Sequence, residues 1–217
     1  MPTGAVIAEQ SVHLLPVEPV LGAPQNASHA EVQIVLRKNM YDWGSDYAVR
    51  DLAGNVVVIA NAKPDSTLDK KQILDPNGNE LYEIRDEVMS VSHGMVGHKS
   101  GGNIFECHNH KTKMNKGETT TELRGWWKDN NGKHDLVLQG DWYQGTASIW
   151  MPDTNQGIGK ILLQPVNLDS NWDKEEYIVT VAPGVDVQVF AGIVIAFEAV
   201  LSKELKKDVL FPDRRQK

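Results

Sequence analysis

Cysteine is almost missing. Cys107 is the single one, so no disulfide can form within the chain, and a reducing, cytoplasmic setting is the expectation. Basic residues are missing from the start of the chain: Arg37 is the first Lys or Arg. A secretory signal needs a basic n-region and a transit peptide needs arginines, so neither is expected. Positive charge is short overall as well. Lys+Arg total 22 against 29 Asp+Glu, a net charge of −7, which argues against a general nucleic-acid binder. No Gly-x-Ser-x-Gly nucleophile elbow is present. What remains is an ordinary globular mix, 41% apolar and 24% charged over 217 residues. A chain of that size buries roughly 70% of its extended surface, enough for one good core, and one domain is expected.

The middle of the chain reads as a meander. Turn signals recur at Asp51–Asn55, Asp75–Asn79, Asp129–Lys133 and Asp153–Gly157, where Asp or Asn bonds nearby backbone and Gly closes the turn. Between them lie short β-type runs: Glu31–Arg37, Asp46–Arg50, Val56–Ala60, Gln72–Leu74, Glu80–Arg85, Ile104–Met114, Glu122–Trp127, Asp135–Gln139, Ala147–Met151, Ile161–Pro165 and Tyr177–Ala182. The first two turns repeat Asp-x-x-Gly-Asn, a hint of a repeated hairpin unit. Ahead of the meander, residues 1–30 carry Pro16 and Pro19 close together, which excludes a regular helix. They read as an extended leader that packs on the domain. The sequon Asn26-Ala27-Ser28 is best read as chance.

Val187–Leu201 is different: it is apolar around nearly its whole circumference. Asp186 stands at an N-cap position and Lys203, Lys206 and Lys207 follow, which suits the helix dipole. A helix apolar all round is buried or membrane-spanning. These residues would reach roughly 22 Å, against ~30 Å of hydrocarbon core, and Gln188 and Glu198 interrupt them. A buried core helix is the expectation, ahead of a membrane anchor or a central strand. Ten or more short strands before one such helix suggest a sheet wrapped about it, which also removes exposed edges.

Three segments resemble the LURP-one-related family. Tyr47–Val56 (YAVRDLAGNV) is similar to its V-x-D-x-x-G-N hairpin. Ile73–Leu81 (ILDPNGNEL) is similar to the following L-x-D-x-x-G-x-x-L element. Tyr177–Asp186 (YIVTVAPGVD) resembles the V-x-V-A-P-G-V-D lead into a hydrophobic C-terminal helix. His93–Gly102 departs from the family pattern in being glycine-rich. The resemblance implies a mainly β, tubby-like fold: a closed twelve-stranded barrel around a central hydrophobic C-terminal helix, here over residues 31–205, with a basic tail at 206–217. Tubby C-terminal domains bind phosphoinositides, and phospholipid scramblases resemble the architecture. The family itself has no established chemistry, and plant members are linked to defence.

Candidate chemistry is sparse. Cys107-His108-Asn109-His110, with His93 and His98 upstream, looks like a metal set. On a regular strand, however, Cys107 faces away from His108 and His110, so no metal and no cofactor is expected. Gln156–Ile161 has a glycine pair before Lys160 but lacks the other P-loop positions, and a hairpin turn explains the glycines. The loop Ser92–Gly102 could settle an anion on free N–H groups beside His93, His98 and Lys99, although a surface loop is the simpler reading. Cys107 is a possible thiol nucleophile with nothing to depress its pKa. Glu175 and Glu176 would face apart on a strand.

The basic residues carry the functional expectation. Lys111 and Lys113 share a strand face, Lys116 lies in the turn beyond, and Arg124 and Lys128 return on the next segment. Trp126 and Trp127 adjoin them, and one must point outward. Lys111, Lys113, Lys116 and Arg124 are therefore the expected ligand-binding residues. They would serve a non-enzymatic module for an anionic lipid headgroup, peripheral to a membrane. Glu118 and Glu122 weaken the patch. A protein-interaction scaffold in stress or defence signalling is the alternative.

Overall fold

The computed structural model describes residues 14–39, 46–63, 70–87, 94–115, 118–141, 146–164 and 174–210. The strands are β1 (Val32–Asn39), β2 (Asp46–Asp51), β3 (Val56–Ala62), β4 (Lys71–Leu74), β5 (Glu80–Asp86), β6 (Met95–Lys99), β7 (Gly102–Asn115), β8 (Glu118–Asp129), β9 (Gly132–Asp141), β10 (Thr146–Met151), β11 (Gln156–Gln164) and β12 (Lys174–Val181). One helix, α1 (Val187–Leu210), follows them. Each strand pairs antiparallel with its neighbour in sequence, and β12 closes the barrel on β1 with Val32 opposite Val181. This is the closed twelve-stranded barrel that the resemblance implies. Closure leaves no edge strand open to pairing with another chain.

Two of the hairpins are built by one device. The Asp51 carboxylate accepts from the Asn55 backbone N–H and side-chain amide, both at 2.8 Å. Asp75 accepts from the Asn79 N–H at 2.8 Å and its amide at 2.9 Å. The repeated Asp-x-x-Gly-Asn is thus the same turn made twice, with Gly54 and Gly78 at positive φ (87° and 85°). Bonds from Asn55 and Asn79 hold both carboxyls below the usual range.

Among the described residues the barrel interior is filled. Every residue from Phe190 to Leu201 is buried, and the inward residues of the strands, such as Ile34, Val49, Ile73, Ile84, Phe105 and Val179, close on them. Asp186 caps the helix as the sequence suggests: its Oδ1 accepts from the N–H groups of Gln188 (3.0 Å) and Val189 (3.2 Å). Glu198 sits inside this apolar cylinder and is bonded to the Tyr47 hydroxyl and, at 2.6 Å, to Ser202 Oγ. A buried polar group needs such partners. No helix among the described residues is long and apolar enough to cross a membrane. The helix runs to Leu210, five residues past the boundary at 205 expected for the start of the tail.

Two readings of glycine need correcting. Met95–Lys99 is a strand, not part of a loop, and Gly157 and Gly159 lie within β11, not in a turn. A Cβ on Gly97 would stand 2.3 Å from the Phe105 ring, and one on Gly159 would stand 2.3 Å from the Phe190 ring. Both glycines make room for an aromatic ring that fills the core.

The described part of the leader is built into the barrel. Leu21 and Val17 are buried, Val17 N–H donates to Pro183 O at 2.9 Å, and Leu21 N–H donates to Gly184 O at 2.8 Å. Asp186 N–H returns a bond to Leu21 O at 2.8 Å. The segment straps the end of the barrel where α1 begins, called the near mouth below. A short 3-10 turn at Pro24–Asn26 interrupts its extended course.

Candidate binding surfaces

Cys107 points into the core and is fully buried, with its Sγ 4.0 Å from Ile193 O. Burial, and then the Glu106 charge, push its thiol well above the ordinary range, which ends its candidacy as a nucleophile. A metal is no better served. Between Asn109 and Lys111 the register shifts, so His110 is an extra residue in β7 and simple alternation stops there. His108 lies 3.6 Å from Glu106, across the wall from the buried Cys107. Among the described residues no group of three or more His, Cys, Asp or Glu could hold a metal ion. His93 lies outside the described residues. The anion-loop reading gives way too: the backbone of β6 pairs with β5 and β7, and His98 Nδ1 lies 3.1 Å from Asn103 Oδ1.

The β7–β8 hairpin carries the expected basic residues. Lys111 stands opposite Glu122, Lys113 opposite Thr120 and Arg124 opposite His108. Lys116 lies outside the described residues. The register therefore sets Lys111 beside Arg124, two positions along with Glu122 between, and leaves Lys113 four positions from Arg124. Arg124 Nε donates to Glu122 Oε1 at 2.9 Å. Of the two tryptophans, Trp127 is the inward one, and Trp126 is half-buried on the outer face. Trp126 is not free to swing. Its Nε1–H donates to Glu106 at 2.9 Å, and the Lys133 ammonium lies 4.7 Å from its ring centroid. Lys128 separates from the patch. It stands four positions beyond Arg124, about 13 Å along the strand, opposite Lys133 near the mouth.

A feature the sequence did not suggest lies at that mouth. A cleft of about 360 Å³ opens between the strap, the starts of β5 and β7, the ends of β6 and β8, and the first turn of α1. Its apolar lining includes Leu81, Ile104, Val189 and the edge of Trp127. Lys99 and Lys128 line it and are exposed. Asp129 and Asp186 line it too, but both carboxylates are engaged. Asp186 Oδ2 accepts from Ala23 N–H at 3.0 Å and the Asn26 amide at 3.3 Å. Asp129 accepts from the N–H groups of Gly22 (2.9 Å), Asn131 (2.7 Å) and Gly132 (3.1 Å), and His134 Nε2 lies 3.1 Å from it. Burial works to raise the Asp129 pKa, but the Gly22, His134 and Asn131 bonds outweigh it and hold the carboxyl low.

The LURP-one-related family model matches residues 32–198. No curated protein matches the chain. An X-ray structure of a protein from Arabidopsis thaliana is similar, with a TM-score of 0.58 at 16% identity, covering 83% of this chain and 98% of that one. At that identity the likeness speaks for the fold alone.

Proposed function

Because the chain belongs to the LURP-one-related family, whose barrel is not a known enzyme class, we propose that it is a non-catalytic binding module for an anionic phospholipid headgroup of the phosphoinositide kind. It would act as a cytoplasmic protein at a membrane surface, without a cofactor. A filled interior supports the general reading, since a ligand must then bind outside the barrel or at a mouth. The observation that carries the finer reading is the β7–β8 register, which puts three basic residues on one hairpin of a net-acidic chain, Lys111 two positions and Lys113 four positions along from Arg124. Bulk attraction to an anionic membrane is lacking at a net charge of −7, so binding must be local. Each basic residue near such a surface is worth about 1 kcal/mol. The mixed face, with Arg124 already bonded to Glu122, favours a second reading: an interaction platform for a protein partner in stress or defence signalling.

Co-sedimentation with phosphoinositide liposomes separates the two. Lys111→Glu with Lys113→Glu should remove most of the binding and leave the melting temperature nearly unchanged. Salt should weaken it, because screening acts over about 8 Å at physiological ionic strength. Equal binding by parent and double variant excludes these residues, and no binding by the parent leaves the platform reading in its place.

A further inference from the structure

We propose that the cleft at the near mouth is a second binding site, for a small organic anion with a compact apolar body. Its volume, about 360 Å³, is at the small end of ligand pockets, which run roughly 300–1,000 Å³. Leu81, Ile104 and Val189 give the body an apolar wall. The two lysines give the anionic group its partners: neither Lys99 nor Lys128 has an ion-pair partner among the described residues. The carboxylates set the orientation. Asp129 and Asp186 are held by backbone and side-chain donors and form no ion pair with either lysine among the described residues, and their charge repels an anion placed beside them. The anionic group is therefore held at the lysines while the apolar body meets the wall. The helix N-terminus takes no part, because Asp186 already caps it.

The shared chemistry, an apolar body bearing one anion, occurs in soluble aromatic acids and in fatty acids. Anilinonaphthalene sulfonate has it, and its fluorescence reports binding to the full chain directly. The expected result is saturable binding that added salt weakens, with phenylnaphthylamine, which lacks the sulfonate, held less tightly. Lys99→Glu with Lys128→Glu should weaken the sulfonate dye by roughly tenfold or more, the range of lost bonds to a charged group, and leave the neutral amine unaffected. Lys99→Gln with Lys128→Gln should fall between, which guards against a folding defect in the reversed pair. Displacement of the dye by naphthoate marks an aromatic acid, and displacement by decanoate marks an acyl chain. Displacement by neither, or equal dye affinity in parent and reversed pair, overturns the site. Liposome binding through Lys111 and Lys113 should survive the reversal at Lys99 and Lys128, so failure here and failure of the lipid reading are told apart.

Discussion

The near mouth and the outer face of the β7–β8 hairpin use charge in opposite ways. At the mouth the carboxylates of Asp129 and Asp186 are bonded to backbone, and the lysines are left over. On the hairpin the cation Arg124 is bonded to the carboxylate of Glu122. At the hairpin the spacing of basic residues along the sequence is a fair guide to the patch, but it overstates the free positive charge. At the mouth the sequence shows acids, and the chain folds so that the cations are what a ligand meets. The difference lies in who satisfies the carboxylates: a cation two positions away on one strand, or N–H donors, some from the carboxylate's own turn and some from a strap far along the chain.

The largest effect expected bears on the mouth. Ending the chain before Val187 removes the core of the barrel, and circular dichroism should show no cooperative unfolding. A soluble, cooperatively folded 1–186 fragment would overturn the architecture. Next comes Phe197→Ala, which deletes a ring with 0% exposure and should cost about 3–5 kcal/mol in a urea titration. Asp186→Ala should cost about 2 kcal/mol, at the upper end for a cap, since it unties the strap as well as the helix. It should weaken the dye at the mouth and spare liposome binding at the hairpin.

Acid should test the bonds that hold Asp129 at the mouth, together with the two turn carboxylates. The carboxyls of Asp51, Asp75 and Asp129 are held below their ordinary value of about 3.9. A depressed carboxyl contributes stability that is present above its unfolded value and is lost as pH falls through its folded value. The urea midpoint should therefore hold from pH 7 to about 4 and fall below that, by the same titration. Asp129→Asn should be less stable at neutral pH and flatten that acid limb. The smallest effect belongs to Arg124→Ala. An exposed pair such as Arg124 with Glu122 is worth at most about 0.5–1 kcal/mol, and dye binding at the mouth should not change.

Much of the fold was legible because its signals are local. Alternating runs, Asp-initiated turns and the Asp186 cap each involve residues a few positions apart. Strand β6 and the start of β11 escaped because their glycines answer to Phe105 and Phe190, rings whose position only the closed barrel sets. The hairpin patch was partly legible: strand spacing pairs Lys111 with Lys113, but the bulge at His110 and the bond from Trp126 to Glu106 are not written in alternation. At the mouth only the local bonds were legible, the Asp186 cap and the Asp129 turn. Asp129 and Asp186 are engaged by Gly22 and Ala23, which lie 107 and 163 residues away. Without those bonds in view, the cleft reads as two lysines beside two acids.

The most direct test sets the two surfaces against each other. The parent chain, Lys99→Glu/Lys128→Glu and Lys111→Glu/Lys113→Glu are each titrated with anilinonaphthalene sulfonate and with phosphoinositide liposomes. The expected result is a crossover: the mouth variant loses the dye and keeps the liposomes, and the hairpin variant loses the liposomes and keeps the dye. If either pair of reversals weakens both ligands alike, or neither, the separation of the two surfaces is contradicted.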